Sequence, residues 1–290
     1  MDLQVRFMQQ NLTQQGLIEQ DLTSLRVALW LLTRLTRIRR PFRSLSILLT
    51  LLFASHTQAA PSPDFHQCNK TFTYQLFFNG LKIGQLSRTL RWQGEQAQVS
   101  AFSSINVLAT KTRFRQRSQI YWSPEQQSFL SKGFSRQVEG LLAGDTEATF
   151  SDNGKRSTVS QDGTILEFSS ASQPLLDSDA VGSQMRLALI QGKTQFNYKL
   201  QDTDEVNHYY FQVKGKETIN SNFGKISAIR VEQVRKSDRK LVMWFSPDVD
   251  YQLVRATYQR KILDVKAVML SKKITCPAGV TLTTKNTRSP

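Results

Sequence analysis

Turn signals interrupt the middle of this sequence at short, regular intervals, and this spacing constrains the fold more than any other feature. Between residues 72 and 274, extended runs alternate with polar turns about every eight to twelve residues. Examples of these turns are Asn79-Gly80, Asp152-Asn153-Gly154 and Asp162-Gly163. Short turns join antiparallel strands, because they reverse the direction of the chain. The sequence therefore predicts a mainly β fold of consecutive antiparallel strands.

The sequence from Lys240 to Gln259 predicts a strand, a polar corner and a second strand. Pro247 presets a turn dihedral at the corner, and Asp248 and Asp250 can bond to their own backbone there. The first strand carries apolar side chains on both faces: Leu241, Met243 and Phe245 on one, Val242 and Trp244 on the other. A strand with two apolar faces is expected inside a sheet.

One segment has a helical pattern. Between Asp177 and Gly192, apolar residues recur at i, i+4, i+7 and i+8. Asp177 or Ser178 can cap the N-terminus, and Gly192 fits the C-terminal cap. We expect this to be the one substantial helix, with its apolar stripe buried against a sheet. The predicted fold class is mainly β (α+β), with a single curved antiparallel sheet or open half-barrel packed on one helix.

The N-terminal sixty residues contain an uncharged run, LSILLTLLFA, at residues 45–54. It is too short to cross a bilayer of ~30 Å as a helix, but it fits a signal-peptide core. Arginines precede it, and Thr57-Gln58-Ala59 is an acceptable cleavage site. We predict an N-terminal extension and signal peptide over residues 1–59, cleaved near Ala59. The single mature domain would span 60–290, with a core at about 70–275, in the periplasm. A buried or anchoring helix is the alternative.

An unusually long segment, residues 1–44, precedes this apolar run. Leucines recur in it at helical spacing with arginines among them, which is one pattern of a membrane-surface helix. We favour the other explanation, in which the natural start lies downstream of Met1 and residues 1 to about 30 are not part of the protein. N-terminal sequencing of a precursor with Met1 intact would contradict it.

The chain is basic, with a formal net charge of +15. Residues 1–60 hold seven Arg against three acidic residues, so a net charge of +11 remains in the rest. Such a balance favours anionic partners, such as lipid headgroups and acidic polysaccharide, but it also serves general solubility. Export would disfavour nucleic acid as a partner. No oligomeric state is predicted.

The two cysteines, Cys68 and Cys276, stand just before the first strand and just after the last. In an exported chain this placement favours one disulfide between them. Closing so long a loop would stabilise the fold by about 4–5 kcal/mol in the chain-entropy model. Free or metal-binding thiols are the alternative, although two cysteines without neighbouring histidines make a poor zinc site.

The corner at residues 244–255, W-F-S-P-D-V-D-Y-Q-L-V-R, resembles the signature of the periplasmic family called domain of unknown function 3108. Three more features agree in order: the first hairpin with Ile83-Gly84, the 177–192 helix, and a strand pair at 217–231. The resemblance covers residues 72 to 274. One departure is Gln252-Leu253, where the family often has a proline. The resemblance implies exported bacterial proteins of mainly β architecture, similar to the curved sheets of lipoprotein carriers, and implies no activity.

A row of cations is the one candidate binding site. At period two, four cations share one face of a strand, about 6–7 Å apart; they are Lys111, Arg113, Arg115 and Arg117. Four cations in register repel one another, so anions or nearby acids are needed to offset them. The functional interpretation is a site for lipid phosphates or acidic glycans, and the structural one is a solvated face with acidic neighbours.

Catalytic and metal sites are not indicated by any motif. The mature chain has only His66 and His208, which we expect to be exposed or hydrogen-bonded rather than catalytic. Two acidic clusters, Asp248/Asp250 and Asp202/Asp204/Glu205, are interpreted as turn residues. No cofactor or metal is expected.

We therefore favour a non-catalytic envelope protein that binds a lipid or another apolar or anionic ligand. A periplasmic scaffold and a hydrolase of envelope glycans are the alternatives. A carrier needs an apolar cavity beside the helix, a scaffold would have that space filled, and a hydrolase needs two carboxylates across a cleft.

Overall fold

The computed structural model describes residues 68–107, 110–140 and 143–278. The first eight strands are β1 (Asn69–Phe78), β2 (Leu81–Gln93), β3 (Gln96–Val107), β4 (Thr110–Ser123), β5 (Ser128–Glu139), β6 (Gly144–Ser151), β7 (Arg156–Gln161) and β8 (Thr164–Ser169). The remaining elements are β9 (Leu175–Leu176), helix α1 (Ser178–Ile190), β10 (Gln195–Gln201), β11 (Val206–Ser221), β12 (Gly224–Val234), β13 (Lys240–Ser246), β14 (Gln252–Arg260) and β15 (Leu263–Thr275).

The predicted signal peptide, its cleavage site at residues 57–59, His66 and the polar tail after residue 278 lie outside the described residues. So do the predicted domain limits at residues 59 and 60. Within the described ranges, no helix combines the length and the apolar character needed to cross a membrane.

All strands belong to one sheet, in the order β8-β7-β6-β5-β4-β3-β2-β1-β15-β14-β13-β12-β11-β10-β9. Neighbours in this order are antiparallel, except that the short β9 pairs parallel with β10. Most strands pair with the next strand in sequence, as short turns dictate. Strands β8 and β9 do not pair with each other and form the two edges of the sheet. Strand β1 also pairs with β15, which brings the two ends of the described chain together in the middle of the sheet.

The sheet curls until its two edges nearly meet, so the structure is a nearly closed barrel rather than an open half-barrel. Near the edges, Leu175 N donates to Gly154 O at 2.7 Å. Side chains also cross the gap: Ser157 Oγ donates to Gln201 Oε1 at 2.6 Å. The prediction of one mainly β sheet with a helix is confirmed, and the predicted degree of closure was too low. Edge contacts between distant strands leave no periodic pattern in the sequence.

Helix α1 lies inside the curved sheet and is enclosed by it. Asp177 is its N-cap, with the side chain accepting from the N–H groups of Asp179 and Ala180. Gly192 adopts a φ of 72° just after the helix, which ends it in the left-handed conformation that glycine tolerates. Helix bounds and caps therefore agree with the prediction.

The interior of the barrel has two parts. The largest apolar cluster is formed by buried residues of β1, β2 and β10–β15 together with α1 and with Ile105 of β3. Strands β3–β8 contribute smaller apolar clusters. Their inner faces also hold buried polar side chains, among them Gln116, Ser118 and Arg136. The helix thus lies between an apolar wall and a partly polar one.

The first hairpin and the disulfide form as the sequence predicts. Asn79 and Gly80 have φ values of 47° and 82°, as the two central residues of a tight hairpin turn require. A Cβ at Gly84 would lie 2.1 Å from the backbone oxygen of Ser104, which explains a glycine in this strand. Cys68 and Cys276 are disulfide-bonded.

Candidate binding cavity

A cavity of about 130 Å³, partly open to solvent, lies between helix α1 and the apolar wall of the barrel. The strands that line it are β1, β2, β10, β11, β13, β14 and β15. Its walls are mainly apolar and aromatic, and include Leu86, Met185, Tyr198, Phe211, Leu241 and Met243. Ligand sites in proteins are typically concave and apolar with a few placed polar groups.

Strand alternation places these side chains. On β13, Leu241, Met243 and Phe245 point inward and line the cavity. The sequence predicted that these three side chains share one face of the strand. On β11, Tyr209 and Phe211 do the same. Helix α1 contributes Gly182 to the lining, and a Cβ built there would meet only Arg88 Nη2, at 3.9 Å. The absence of a side chain at this position therefore leaves space in the cavity.

Two tyrosines in the wall, Tyr74 and Tyr198, are neutral phenols. Burial raises the pKa of Tyr74 and of Tyr198 above the ordinary value, because the phenolate would lose its hydration. The Tyr74 hydroxyl donates to the backbone oxygen of Leu253 at 3.0 Å. This bond fixes one wall of the cavity to strand β14.

An ion pair supplies the charged groups of the lining. Arg88 on β2 contacts Asp179 Oδ1 through Nε and Nη2, both at 2.9 Å. The other carboxylate oxygen accepts from Ser118 Oγ at 2.7 Å and from Gln116 Nε2 at 3.0 Å. Burial alone would raise the pKa of Asp179, but Arg88 and Ser118 hold it below the ordinary value. The carboxylate is therefore ionised, and its charge is matched by Arg88.

A second buried pair lies behind this one, in the polar part of the interior. Arg136 on β5 contacts Asp202 Oδ1 at 3.2 Å and donates from Nε to Gln116 Oε1 at 3.1 Å. Gln116 therefore links the two ion pairs. This network connects β2, β4, β5, the helix and the β10–β11 turn, and it fixes the N-terminal end of the helix in the barrel.

The other side of the helix is held by the corner between β13 and β14. Asp250 lies there, after a single 3-10 turn at Pro247–Val249. Its carboxylate contacts Arg186 of the helix, and Lys70 Nζ of β1 at 2.7 Å. Arg186 Nε also donates to the backbone oxygen of Asp250 at 2.8 Å. All three side chains are buried, and burial lowers the pKa of Lys70 to about 8.

Comparison with known proteins places this architecture in a family. The family model described as "Protein of unknown function (DUF3108)" matches residues 73–269, which is more than half of the chain. The chain belongs to the DUF3108 family. The match includes the whole helix, the ion pairs of Arg88 and Arg136, and the Asp250 corner. Cys68, Lys70 and Cys276 lie outside it.

The fold of this DUF3108 protein is similar to that of a solved structure from Brucella abortus, a "Beta-barrel-like Protein of Domain of Unknown Function DUF1849". The TM-score is 0.51 at 10% sequence identity, and the similarity covers 72% of this chain and 98% of the other. At this identity the likeness concerns the fold alone. No curated protein matches the sequence significantly.

The four predicted cations of the DUF3108 protein share the outer face of β4, as their spacing indicates. Lys111, Arg113, Arg115 and Arg117 are all exposed, and none lines the cavity. Glu139 on β5 accepts from Arg113 at 3.2 Å and from Arg115 at 2.9 Å. An acidic neighbour thus offsets part of the row, and its binding of anions stays a prediction.

The interpretation of the acidic clusters as turn residues was incomplete. Asp250 and Asp202 lie in turns, yet both are buried partners of cations from other elements. Asp248 fits the prediction better, since it is exposed and accepts from Ser227 N at 3.2 Å. His208 also fits: its ring contacts Asn197 Oδ1 at 2.7 Å and Tyr210 Oη at 3.0 Å.

Sequence reasoning missed the ion pair in the cavity, although β2 carries a signal for it. Arg88 lies between Leu86 and Leu90 at period two, so all three side chains point to the interior. An arginine at an inward position needs a buried partner. On β4, Gln116 and Ser118 alternate with the exposed cations, and a strand with two polar faces indicates a polar interior.

Proposed function

We propose that this protein is a non-catalytic envelope protein that binds the apolar part of a small amphipathic ligand, such as the end of an acyl chain. The cavity beside helix α1 carries this proposal. A close-packed interior leaves few voids larger than a water molecule. An engineered cavity of similar volume, about 150 Å³ with apolar walls, binds benzene in another protein. A space of about 130 Å³ here therefore accommodates a group of several carbon atoms.

The Arg88–Asp179 pair would orient the polar end of such a ligand. Asp179 uses both of its oxygens for Arg88, Ser118 and Gln116. Arg88 contacts Asp179 through Nε and Nη2, and Nη1 takes no part in these contacts. A carboxylate, phosphate or hydroxyl oxygen could therefore approach this guanidinium nitrogen while the apolar part remains against the wall.

The cavity favours a binding protein over a scaffold, because a scaffold has no need of open space beside the helix. The arrangement of the carboxylates does not favour a hydrolase. Of the acids near the helix start, Asp179 lines the cavity and is fully engaged in its ion pair. Asp177 caps the helix and is not part of the lining.

We propose the periplasm as the location. The uncharged run at residues 45–54 with its arginine flank supports export. The Cys68–Cys276 disulfide is consistent with this location, since structural disulfides persist in oxidising compartments.

Filling the cavity from the helix tests the binding proposal. Gly182→Leu places four carbon atoms in the open space at this position, and leucine is a better helix former than glycine by about 1 kcal/mol. We expect the affinity for a fluorescent fatty acid to fall at least about tenfold, while the melting temperature stays the same or rises. Titration of the fluorescence measures the affinity, and native mass spectrometry of protein from its own cells would show a co-purifying lipid lost in the variant.

Gly182→Ala is the matched control, because it makes the same backbone change and adds only one carbon. It should bind within about twofold of the unmodified protein. If Gly182→Leu bound the fatty acid as tightly as Gly182→Ala, the ligand would not occupy this cavity and the proposal would fail.

A further inference from the structure

Two neighbouring turns at one end of the barrel expose large apolar side chains. Leu81, at the β1–β2 turn, is 72% exposed, and Ile262, at the β14–β15 turn, is 77% exposed. We refer to residues 79–82 and 261–264 together as the double tip. Most large apolar side chains of the described residues are buried, so two such exposures side by side need an explanation.

Two hydrogen bonds, one between backbone groups and one from backbone to side chain, hold the two turns together. Asn79 N donates to the backbone oxygen of Asp264 at 2.8 Å, and Asp264 N donates to Asn79 Oδ1 at 3.1 Å. The pairing of β1 with both β2 and β15 continues directly below them. The double tip is therefore one built projection with fixed geometry rather than two independent loops.

Cations surround the apolar side chains. Lys82 and Lys261 are part of the double tip and are exposed. Below them, Phe77 on β1 pairs in register with Lys82 on one side and Lys266 on the other. Lys266 Nζ lies 4.9 Å from the centre of the Phe77 ring. Three lysines thus share this surface.

The acids at this end offset only part of that charge. Asp264 belongs to the double tip and is exposed, and its carboxylate accepts from Gln259 Nε2 at 3.3 Å. Asp238, on the neighbouring β12–β13 turn, contacts Arg260 at 3.0 Å and also Arg239. The surface of the double tip therefore keeps a net positive charge.

We propose that the double tip docks on an anionic phospholipid bilayer, with Leu81 and Ile262 inserted among the headgroups and the three lysines contacting lipid phosphates. A convex projection with apolar ends fits a flat, deformable surface, whereas a protein partner would need a matching groove. Apolar insertion combined with basic residues is the pattern of peripheral membrane binding. This docking does not depend on the cavity, and it would bring the protein to the surface where lipids are found.

Ile165 provides an internal comparison. It is 68% exposed and lies beside the β7–β8 turn, so its apolar exposure is similar to that of the double tip. Its turn and strand carry Asp162 and Glu167, however, and no lysine. An anionic bilayer would repel this site, which makes it a matched control.

Position-specific labels test the docking. Both native cysteines are in the disulfide, so Leu81→Cys, Ile262→Cys and Ile165→Cys each provide one free thiol for an environment-sensitive fluorophore. We expect labels at 81 and 262 to show a blue shift and brighter emission with vesicles of phosphatidylethanolamine and phosphatidylglycerol. The label at 165 should not change. Each label responds only to the surroundings of its own residue. It therefore reports contact between the double tip and the bilayer, even if residues 45–54 or the cations of β4 also bind vesicles.

Charge removal completes the test. Replacing Lys82, Lys261 and Lys266 by Gln should weaken the vesicle titration of the label at 81 by about tenfold or more, and raised salt should weaken it further. Gly182→Leu should leave this titration unchanged, so failure of the cavity proposal is distinguishable from failure of this one. Equal responses of the labels at 81 and 165, or an unchanged titration after the lysine replacements, would overturn docking on an anionic bilayer.

Discussion

Asp177 caps helix α1 from a fully buried position, and its protonation should affect stability near neutral pH. Burial, and then the charge of Asp179, raise its pKa from 3.8 to about 7. In the unfolded chain the group loses its proton near pH 4, so between about pH 4 and pH 7 the folded state binds more protons than the unfolded state. The free energy of unfolding contributed by this group therefore falls as the pH rises through that window.

Asp177→Asn should remove this fall, because asparagine caps helices as well as aspartate and carries no charge. Between pH 5 and pH 8 we expect the free energy of unfolding of the unmodified protein to fall relative to that of the variant by about 1–3 kcal/mol. Urea denaturation across this range measures it. Asp204→Asn, at an exposed position, is the control and should follow the unmodified protein. Parallel profiles for Asp177→Asn and the unmodified protein would show that the Asp177 carboxylate titrates normally.

At the residue scale, the sequence predicted what depends on near neighbours. The cap at Asp177 and the turn at Asn79-Gly80 both follow from local geometry, and the structure has both. The partner of Arg88 could not be predicted, because Asp179 lies 91 residues away in the sequence. A buried charge shows that a partner must exist but not which residue it is.

At the scale of elements, the Asp250 corner fixes the helix to the sheet. Lys70 comes from β1 and Arg186 from α1, and their side chains are 2% and 4% exposed. Without Asp250 the two cations would lose their shared counter-charge while remaining in the interior. Removing one member of a buried charged group is strongly destabilising, since the remaining charge cannot regain its hydration.

Asp250→Asn tests this role with little change in shape. Asparagine also tolerates the φ of 55° at this position, so the backbone need not move. We expect a loss of about 3 kcal/mol in the free energy of unfolding, measured by urea denaturation. Asp248→Asn, at the exposed neighbouring acid, should cost less than about 1 kcal/mol. Equal losses in the two variants would mean that the turn, rather than the buried charge, is what Asp250 provides.

The elements themselves were largely predictable, and their assembly was not. Alternation located β13 with its inward face of Leu241, Met243 and Phe245, and the helical period located α1. Alternation shows that a face is buried without showing what covers it. The cavity arises because the helix, at Gly182, leaves space opposite this face, and no pattern within one strand records such a gap.

At the scale of the molecule, the disulfide joins the start of β1 to the end of β15, the two strands at the centre of the sheet. Cys68 precedes β1 and Cys276 follows β15, 208 residues apart. Closing a loop of this length stabilises the fold by about 5 kcal/mol in the chain-entropy model, which is an upper value when the unfolded chain retains structure.

Reduction should therefore lower the melting temperature, and Cys68→Ala/Cys276→Ala should show the same decrease without reductant. Thermal unfolding followed by circular dichroism, with and without a thiol reductant, measures both. The double variant is also the control, since reductant should not affect it further. If reduction left the melting temperature of the unmodified protein unchanged, the bridge would contribute nothing to stability.

The pairing of β1 with β15 has a consequence for the order of events during synthesis. Apart from the parallel β9–β10 pair, each half of the sheet consists of hairpins between consecutive strands, which can form as the chain emerges. The seam between the halves cannot form until the last strand is present, because one of its two strands is made first and the other last. The cavity has walls on both sides of that seam. A chain that still lacks β15 therefore has an incomplete cavity, and if the protein binds a ligand as proposed, we expect it to do so only after β15 has been made and has paired with β1.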